Sequence, residues 1–227
     1  MSPTTEPGPS LDHDPVPARK AALRTEVRAA RRAQLAAGGE EARRRDGDAI
    51  AQAGMQWLER HSIQAHPVRC VTAYEPMATE PPVDRFVAAL RDHGVRVLVP
   101  ITLPQGQLRW RDLDPSLRSN PMGARADEHA GPTWGAEILA EVDAAFIPAL
   151  SIGPDGARLG QGGGYYDRAI PALRAARAAG QAAPVIAVAY ASECGVDVPR
   201  HPHDILVDAV LTAGGVREVP IPGPATT

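Results

Sequence analysis

Residues 144–170, "AAFIPALSIGPDGARLGQGGGYYDRAI", decide the fold. They open with the apolar run "AAFIPAL" (144–150), the composition of a strand covered on both sides. An Asp-Gly turn follows at Asp155 and Gly156. Four glycines then fall within five positions: Gly160, Gly162, Gly163 and Gly164. Tyr165, Tyr166 and Asp167 begin a helix, "YYDRAIPALRAARAAG", expected to end at Gly180, with Pro171 as a kink or in an irregular first turn. Strand, glycine-rich loop and helix start form the setting in which backbone N–H groups cradle phosphate. Glycine reaches positive φ without strain and lets an anion approach the main chain closely. The N-terminal dipole of the following helix adds to the attraction.

The same alternation of strand and helix extends outward. "VRCVTAY" (68–74) and "VRVLVP" (95–100) read as strands, with the helix "VDRFVAALRDHG" between them, closed by Gly94. "GQLRWRDL" reads as a shorter strand that alternates faces, and residues 114–132 as loop. "PVIAVAY" is another buried strand, and "DILVDAVLTAGG" closes the domain with one more. Upstream, a helix is expected from near Ala18 to the Gly38–Gly39 pair, with Leu23, Val27, Ala30 and Gln34 or Leu35 along one stripe. A second helical stretch covers residues 40–61, where Gly47 and Gly54 weaken the pattern. This order predicts one three-layer α/β/α domain with a largely parallel sheet. It spans residues 18–217, between an N-terminal tail (1–17) rich in Pro, Asp and Ser and a C-terminal tail (218–227).

The formal net charge of −3 over 227 residues argues against bulk binding to nucleic acid or membrane. No apolar stretch approaches the length of a membrane span, and the N-terminus lacks the apolar core of a secretory signal. Two distant cysteines, Cys70 and Cys194, make neither a metal motif nor a disulfide framework. The expectation is a cytoplasmic protein with reduced thiols. Oligomeric state is left open, with a monomer preferred. Nine of the 24 Lys and Arg lie between Arg19 and Arg45. Lys20 and Arg24, at i and i+4, share a helix face, while Arg28, Arg31 and Arg32 are assigned to a solvated face.

The glycine cluster is not a Walker A loop, because no Gly-Lys-Ser/Thr follows, and it is not a dinucleotide fingerprint. Asp167 at an anion site repels phosphate directly and makes sense with a divalent cation between them. Asp208, inside "ILVDAVL", is costly to bury unless paired or metal-bound; the alternative is the exposed end of a strand. Trp110 and Trp134 are expected to pack, and His201 and His203 have no assigned role.

"GPDGARLGQGGGYYDRAI" resembles the signature of the 5-formyltetrahydrofolate cyclo-ligase family, and three further segments fit in order: "KAALR", "YEPMATEPPV" and "HDILVDAVL". The resemblance spans about residues 18–211. It implies ATP-dependent conversion of 5-formyltetrahydrofolate to 5,10-methenyltetrahydrofolate, with Mg²⁺ as cofactor and ATP and a reduced folate as small-molecule substrates. By the same resemblance, Lys20, Arg24 and the run Arg158, Leu159, Gly160, Gln161, Gly162, Gly163, Gly164, Tyr165 and Tyr166 hold ATP. Gln161 to Tyr165 also meet the folate, with Gln161 and Tyr165 at the reacting centre. Glu80 and Glu75 contact the substrate, although Glu75 stands where the family is often apolar. Asp167 and Asp208 hold the metal. Gln161 departs from the family, which has Arg or Lys there; the departure implies either weaker ATP binding or compensation by another basic residue, such as Arg125 or Arg168. Two readings compete: a phosphate-ester enzyme such as a sugar-phosphate isomerase, and a folate- or nucleotide-binding module without turnover.

Overall fold

The computed structural model describes residues 14–64, 67–113, 133–176, 183–202 and 204–220. A long helix comes first, α1 (Val16–Gln64), then β1 (Cys70–Thr72), α2 (Asp84–Asp92), β2 (Arg96–Thr102) and β3 (Leu108–Asp112). Next come β4 (Ala144–Pro148), β5 (Ser151–Ile152), β6 (Arg158–Leu159), α3 (Tyr165–Ala175), β7 (Val185–Val188), β8 (Ala209–Thr212) and β9 (Gly215–Glu218). The main sheet runs β3-β2-β1-β4-β7-β8-β9. Its interior pairings are parallel, and β3 and β9 are antiparallel edges.

Apolar runs make the central strands because both sheet faces are covered. Val71, Val97, Val99, Phe146, Ile186, Val188 and Leu211 face one way, against Ile50 and Trp57 of α1 and Phe86 and Leu90 of α2. Their neighbours Cys70, Leu98, Ala145, Ile147, Val185, Ala187 and Val210 face the other way, against Ile170 and Leu173 of α3 and Ile138 and Leu139 of a 3₁₀ turn, Ala136–Glu141. The three-layer α/β/α expectation is met. Trp110 and Trp134 pair backbone to backbone inside the second layer, a packing role as expected.

The two expected N-terminal helices are present, divided within Val16–Gln64 by a non-helical Gly39, where φ is 61°. Other elements differ from the sequence reading. Gly54, read as a weakness, is a contact: a Cβ there would lie 2.5 Å from the Phe86 ring, so its absence lets α1 and α2 approach. Val16 N donates to Asp14 Oδ1 at 3.0 Å at the start of α1, and β9 runs to Glu218 with Val219 buried behind it. The β5–β6 hairpin and β9 went unread because each is only two to four residues long beside glycine turns. The expected loop at 114–132, the helix end at Gly180, Arg125 and His203 lie outside the described residues.

Candidate functional site

The strand order reverses at β1: the chain steps to β2 on one side and to β4 on the other. Ligands of open α/β sheets bind beyond the carboxyl ends of the strands at such a switch point. A cleft of about 460 Å³ lies there. Tyr74 and Glu75 follow β1, Pro100 and Thr102 end β2, and Pro148 ends β4; all five line it. Residues 158–167 and the first turns of α1 complete the wall.

The sequence builds this loop in stages. β5 and β6 pair antiparallel, and the Asp155–Gly156 turn joins them, so Arg158 and Leu159 leave the hairpin toward the cleft. Leu159 is itself buried with Val27, Leu150, Ala157 and Val198, anchoring the loop beneath the first half of α1. Gly162 and Gly164 have φ of 103° and 65°, conformations that a side chain would strain. Three guanidiniums hold the loop's carbonyls. Arg24 Nε donates to Gly160 O at 2.9 Å, Arg28 Nη2 to Gln161 O at 3.1 Å and Arg168 Nη2 to Gly163 O at 3.1 Å.

Most of the residues expected at the site meet here. Lys20 Nζ reaches Asp204 Oδ2 at 2.5 Å. Burial lowers the Arg24 guanidinium from its ordinary value, and the charge on Arg28 adds to the effect. The Arg158 side chain, only 4% exposed, ion-pairs with Asp167 and lies over the Tyr166 ring, while its Nε has no protein partner. Burial raises the Tyr74 and Tyr166 hydroxyls above their ordinary values, and the nearby Glu80 charge reinforces this, so both phenols stay protonated. Glu80 is 3% exposed. Its Oε2 accepts Met77 N at 3.0 Å and its Oε1 accepts Gln161 Nε2 at 3.3 Å. Arg43 and the Tyr190 hydroxyl hold its backbone carbonyl at 2.7 and 3.2 Å. Glu75 lines the cleft with its carboxylate on Arg111 Nη2 at 2.8 Å.

Asp208 does not join them. The β7–β8 register sets Ala209 opposite Ile186, which leaves Asp208 at the amino ends of the strands, away from the cleft. Its Oδ2 accepts Val185 N at 2.7 Å and its Oδ1 accepts Arg174 Nη2 at 3.1 Å. Backbone and arginine donors therefore account for this acid, and the expectation of a metal ligand is corrected. Asp204, four residues earlier on the connection from β7 to β8, lines the cleft instead. Its signal was the polar string "HPHD" before the apolar run.

The solvated-face assignment is also corrected at Arg31. Arg31 is buried, donates to both carboxylate oxygens of Glu193 at 2.6 and 2.8 Å and to Ala149 O at 2.7 Å, and stacks over Tyr190. Burial opposes its charge, but the Glu193 hydrogen bonds and charge outweigh that and raise its pKa. Arg28 and Arg32 are exposed, as expected, and Arg28 also reaches Gln161.

Among the described residues, no three carboxylate, histidine or cysteine side chains group to hold a metal ion. Mg²⁺ needs less: it is commonly bound by one or two carboxylates together with substrate phosphates. Asp167 and Asp204 suit that chemistry.

A glycine loop, flanking cations and a buried carboxylate at the switch point of a doubly wound sheet define an α/β protein with a candidate ligand site whose chemistry suits an anion. Known proteins narrow the class. The model of the 5-formyltetrahydrofolate cyclo-ligase family matches residues 16–213, and the chain belongs to that family of ligases. It is 34% identical to a 5-formyltetrahydrofolate cyclo-ligase of Mycolicibacterium smegmatis over 174 residues, covering 74% of this chain and 83% of that one. A mitochondrial 5-formyltetrahydrofolate cyclo-ligase of Arabidopsis thaliana is 37% identical over 89 residues, covering 37% of this chain and 31% of that one. The fold is shared with two 5,10-methenyltetrahydrofolate synthetases. That of Mycoplasma pneumoniae has a TM-score of 0.63 at 22% identity, covering 86% of this chain and 98% of that one. That of Aquifex aeolicus has a TM-score of 0.65 at 22% identity, covering 92% and 96%. No helix among the described residues is long and apolar enough to cross a membrane.

Proposed function

We propose that the protein cyclises 5-formyltetrahydrofolate to 5,10-methenyltetrahydrofolate, with ATP converted to ADP and phosphate. The observation that carries this reading is the convergence in one cleft of the 160–164 loop, Lys20, Arg24 and Arg158 with the buried carboxylate of Glu80. One side suits a triphosphate, and the other suits the amino-pyrimidinone edge of a pterin, which offers parallel N–H donors to a carboxylate.

In this reaction the formyl oxygen takes the γ-phosphoryl group as ADP leaves. N10 then attacks the activated formyl carbon, the five-membered ring closes with loss of the N10 proton, and phosphate departs with the former formyl oxygen. The protein's task is positioning and charge neutralisation. Lys20, Arg24 and Arg158 neutralise the triphosphate, and the loop amides cradle it. Glu80 fixes the pterin. Gln161 and Tyr165 stand between the two substrates, where the phosphoryl group meets the formyl oxygen. Lys20 and Arg158 turn to phosphate, and Asp204 and Asp167 beside them would hold Mg²⁺. When bound, Mg²⁺ supplies further neutralisation of phosphate charge.

The test mixes the protein with 5-formyltetrahydrofolate, ATP and Mg²⁺ and follows the near-ultraviolet absorbance of the methenyl product alongside ADP. A rise that needs all three, with ADP formed in step, supports the reading. Nucleotide binding without either product refutes turnover and leaves a binding module.

A further inference from the structure

Lys20, Arg24 and Arg28 stand four residues apart on α1 and share one face. Arg24 takes the carbonyl of Gly160, and one turn further Arg28 takes the next residue, Gln161, with three hydrogen bonds. Its Nη2 donates to the backbone carbonyl at 3.1 Å and to Oε1 at 2.7 Å, and its Nε donates to Oε1 at 3.2 Å. The amide is oriented by this fork: its oxygen faces Arg28 and its nitrogen faces Glu80 Oε1 at 3.3 Å. A neutral amide can donate to phosphate but cannot neutralise it, whereas the guanidinium bound to it can. Of the two compensating residues expected from sequence, Arg168 is engaged with the carbonyls of Gly106 and Gly163.

We propose that Arg28 belongs to the nucleotide subsite and supplies, from helix α1, the positive charge that the side chain at position 161 lacks. The inference rests on the ligase reading. Cation and loop residue work as a pair in which the charge has moved from the loop to the helix facing it. The charge is already felt in the site, because Arg28 contributes to lowering the Arg24 guanidinium. Arg28 is exposed, so its removal leaves no buried partner uncompensated.

The test is calorimetric titration of ATP with Mg²⁺, in the absence of folate, into the wild type and into Arg28→Ala, Arg28→Lys, Arg32→Ala and the double variant Arg28→Ala/Gln161→Arg. For an exposed, partly screened cation, Arg28→Ala is expected to weaken binding about five- to tenfold, more at low salt. Arg28→Lys keeps the charge and recovers part of the loss, and Arg32→Ala leaves affinity unchanged. The double variant, with the cation returned to the loop, binds within about twofold of wild type, the size of an ordinary difference between related variants. Unchanged binding in Arg28→Ala overturns the inference alone, as does a loss that the double variant fails to restore. A wild type that does not bind ATP overturns the ligase reading and this inference with it. Matching thermal midpoints across the series separate lost affinity from lost fold.

Discussion

Glu80→Gln changes one oxygen to an amino group in a side chain that is 3% exposed and hydrogen-bonded to Met77 N and Gln161 Nε2. The amide fits the same space, so packing is retained. Its chemistry toward a pterin changes, because a carboxylate accepts from two parallel N–H donors whereas an amide accepts from one and opposes the other. The loss is one charge-assisted hydrogen bond, about 1.5–3 kcal/mol. That corresponds to about 10- to 160-fold in kcat/KM for 5-formyltetrahydrofolate. The assay follows methenyl product at varied folate with ATP saturating, and then the reverse. The effect belongs in the folate series, with the ATP affinity measured by titration changed by less than about threefold, since no phosphate contact is removed. Glu80→Gln with normal kcat/KM for folate would refute the assignment of Glu80 to the pterin. A loss confined to ATP would place this carboxylate on the wrong substrate.

The remaining predictions concern the framework and the metal. Arg31→Ala leaves the Glu193 carboxylate buried without its partner, so unfolding free energy should fall by about 3–5 kcal/mol in denaturant titration, and Arg31→Met/Glu193→Leu should recover most of it. Asp208→Asn should leave the Mg²⁺ dependence of turnover unchanged, whereas Asp167→Asn should shift it to higher Mg²⁺; the reverse pattern would restore the metal role that the sequence suggested for Asp208. Burial holds the Cys70 thiol up at about 12 against an ordinary value of 9.0. The folded state therefore keeps a proton that the unfolded chain loses. Stability from this group is full below pH 9.0 and declines as pH rises toward about 12. Cys70→Ala should flatten that part of the midpoint-versus-pH curve, and Cys70 should resist alkylation near neutral pH until the protein unfolds.

The parallel core was legible because its strands are covered on both faces and so consist of unbroken apolar residues, as at Phe146–Ile147 and Ile186–Val188. The glycine loop was legible because glycines at positive φ, here Gly162 and Gly164, leave a mark in sequence. What failed depended on register and distance. Asp204 and Asp208 lie in one short string, and the burial argument favoured the acid with apolar neighbours. Pairing of β7 with β8 decides otherwise: Asp208 receives a backbone N–H at the far end of the sheet, and Asp204 passes the cleft. Arg31 looked like its neighbours because its partner, Glu193, is 162 residues away. Composition near Arg31 carries no trace of that contact.

The contacts between the first half of α1 and the cleft have a consequence for biogenesis. Lys20 meets Asp204 across 184 residues, Arg24 meets Gly160 across 136 and Arg28 meets Gln161 across 133. Closing such long loops is slow and is not repaid until the distant partner exists. During synthesis the cations of α1 emerge well before each of their three partners. A partly translated chain therefore carries these cations without the groups that hold them. The cleft takes shape only after the 158–167 loop and the segment bearing Asp204 have both been made.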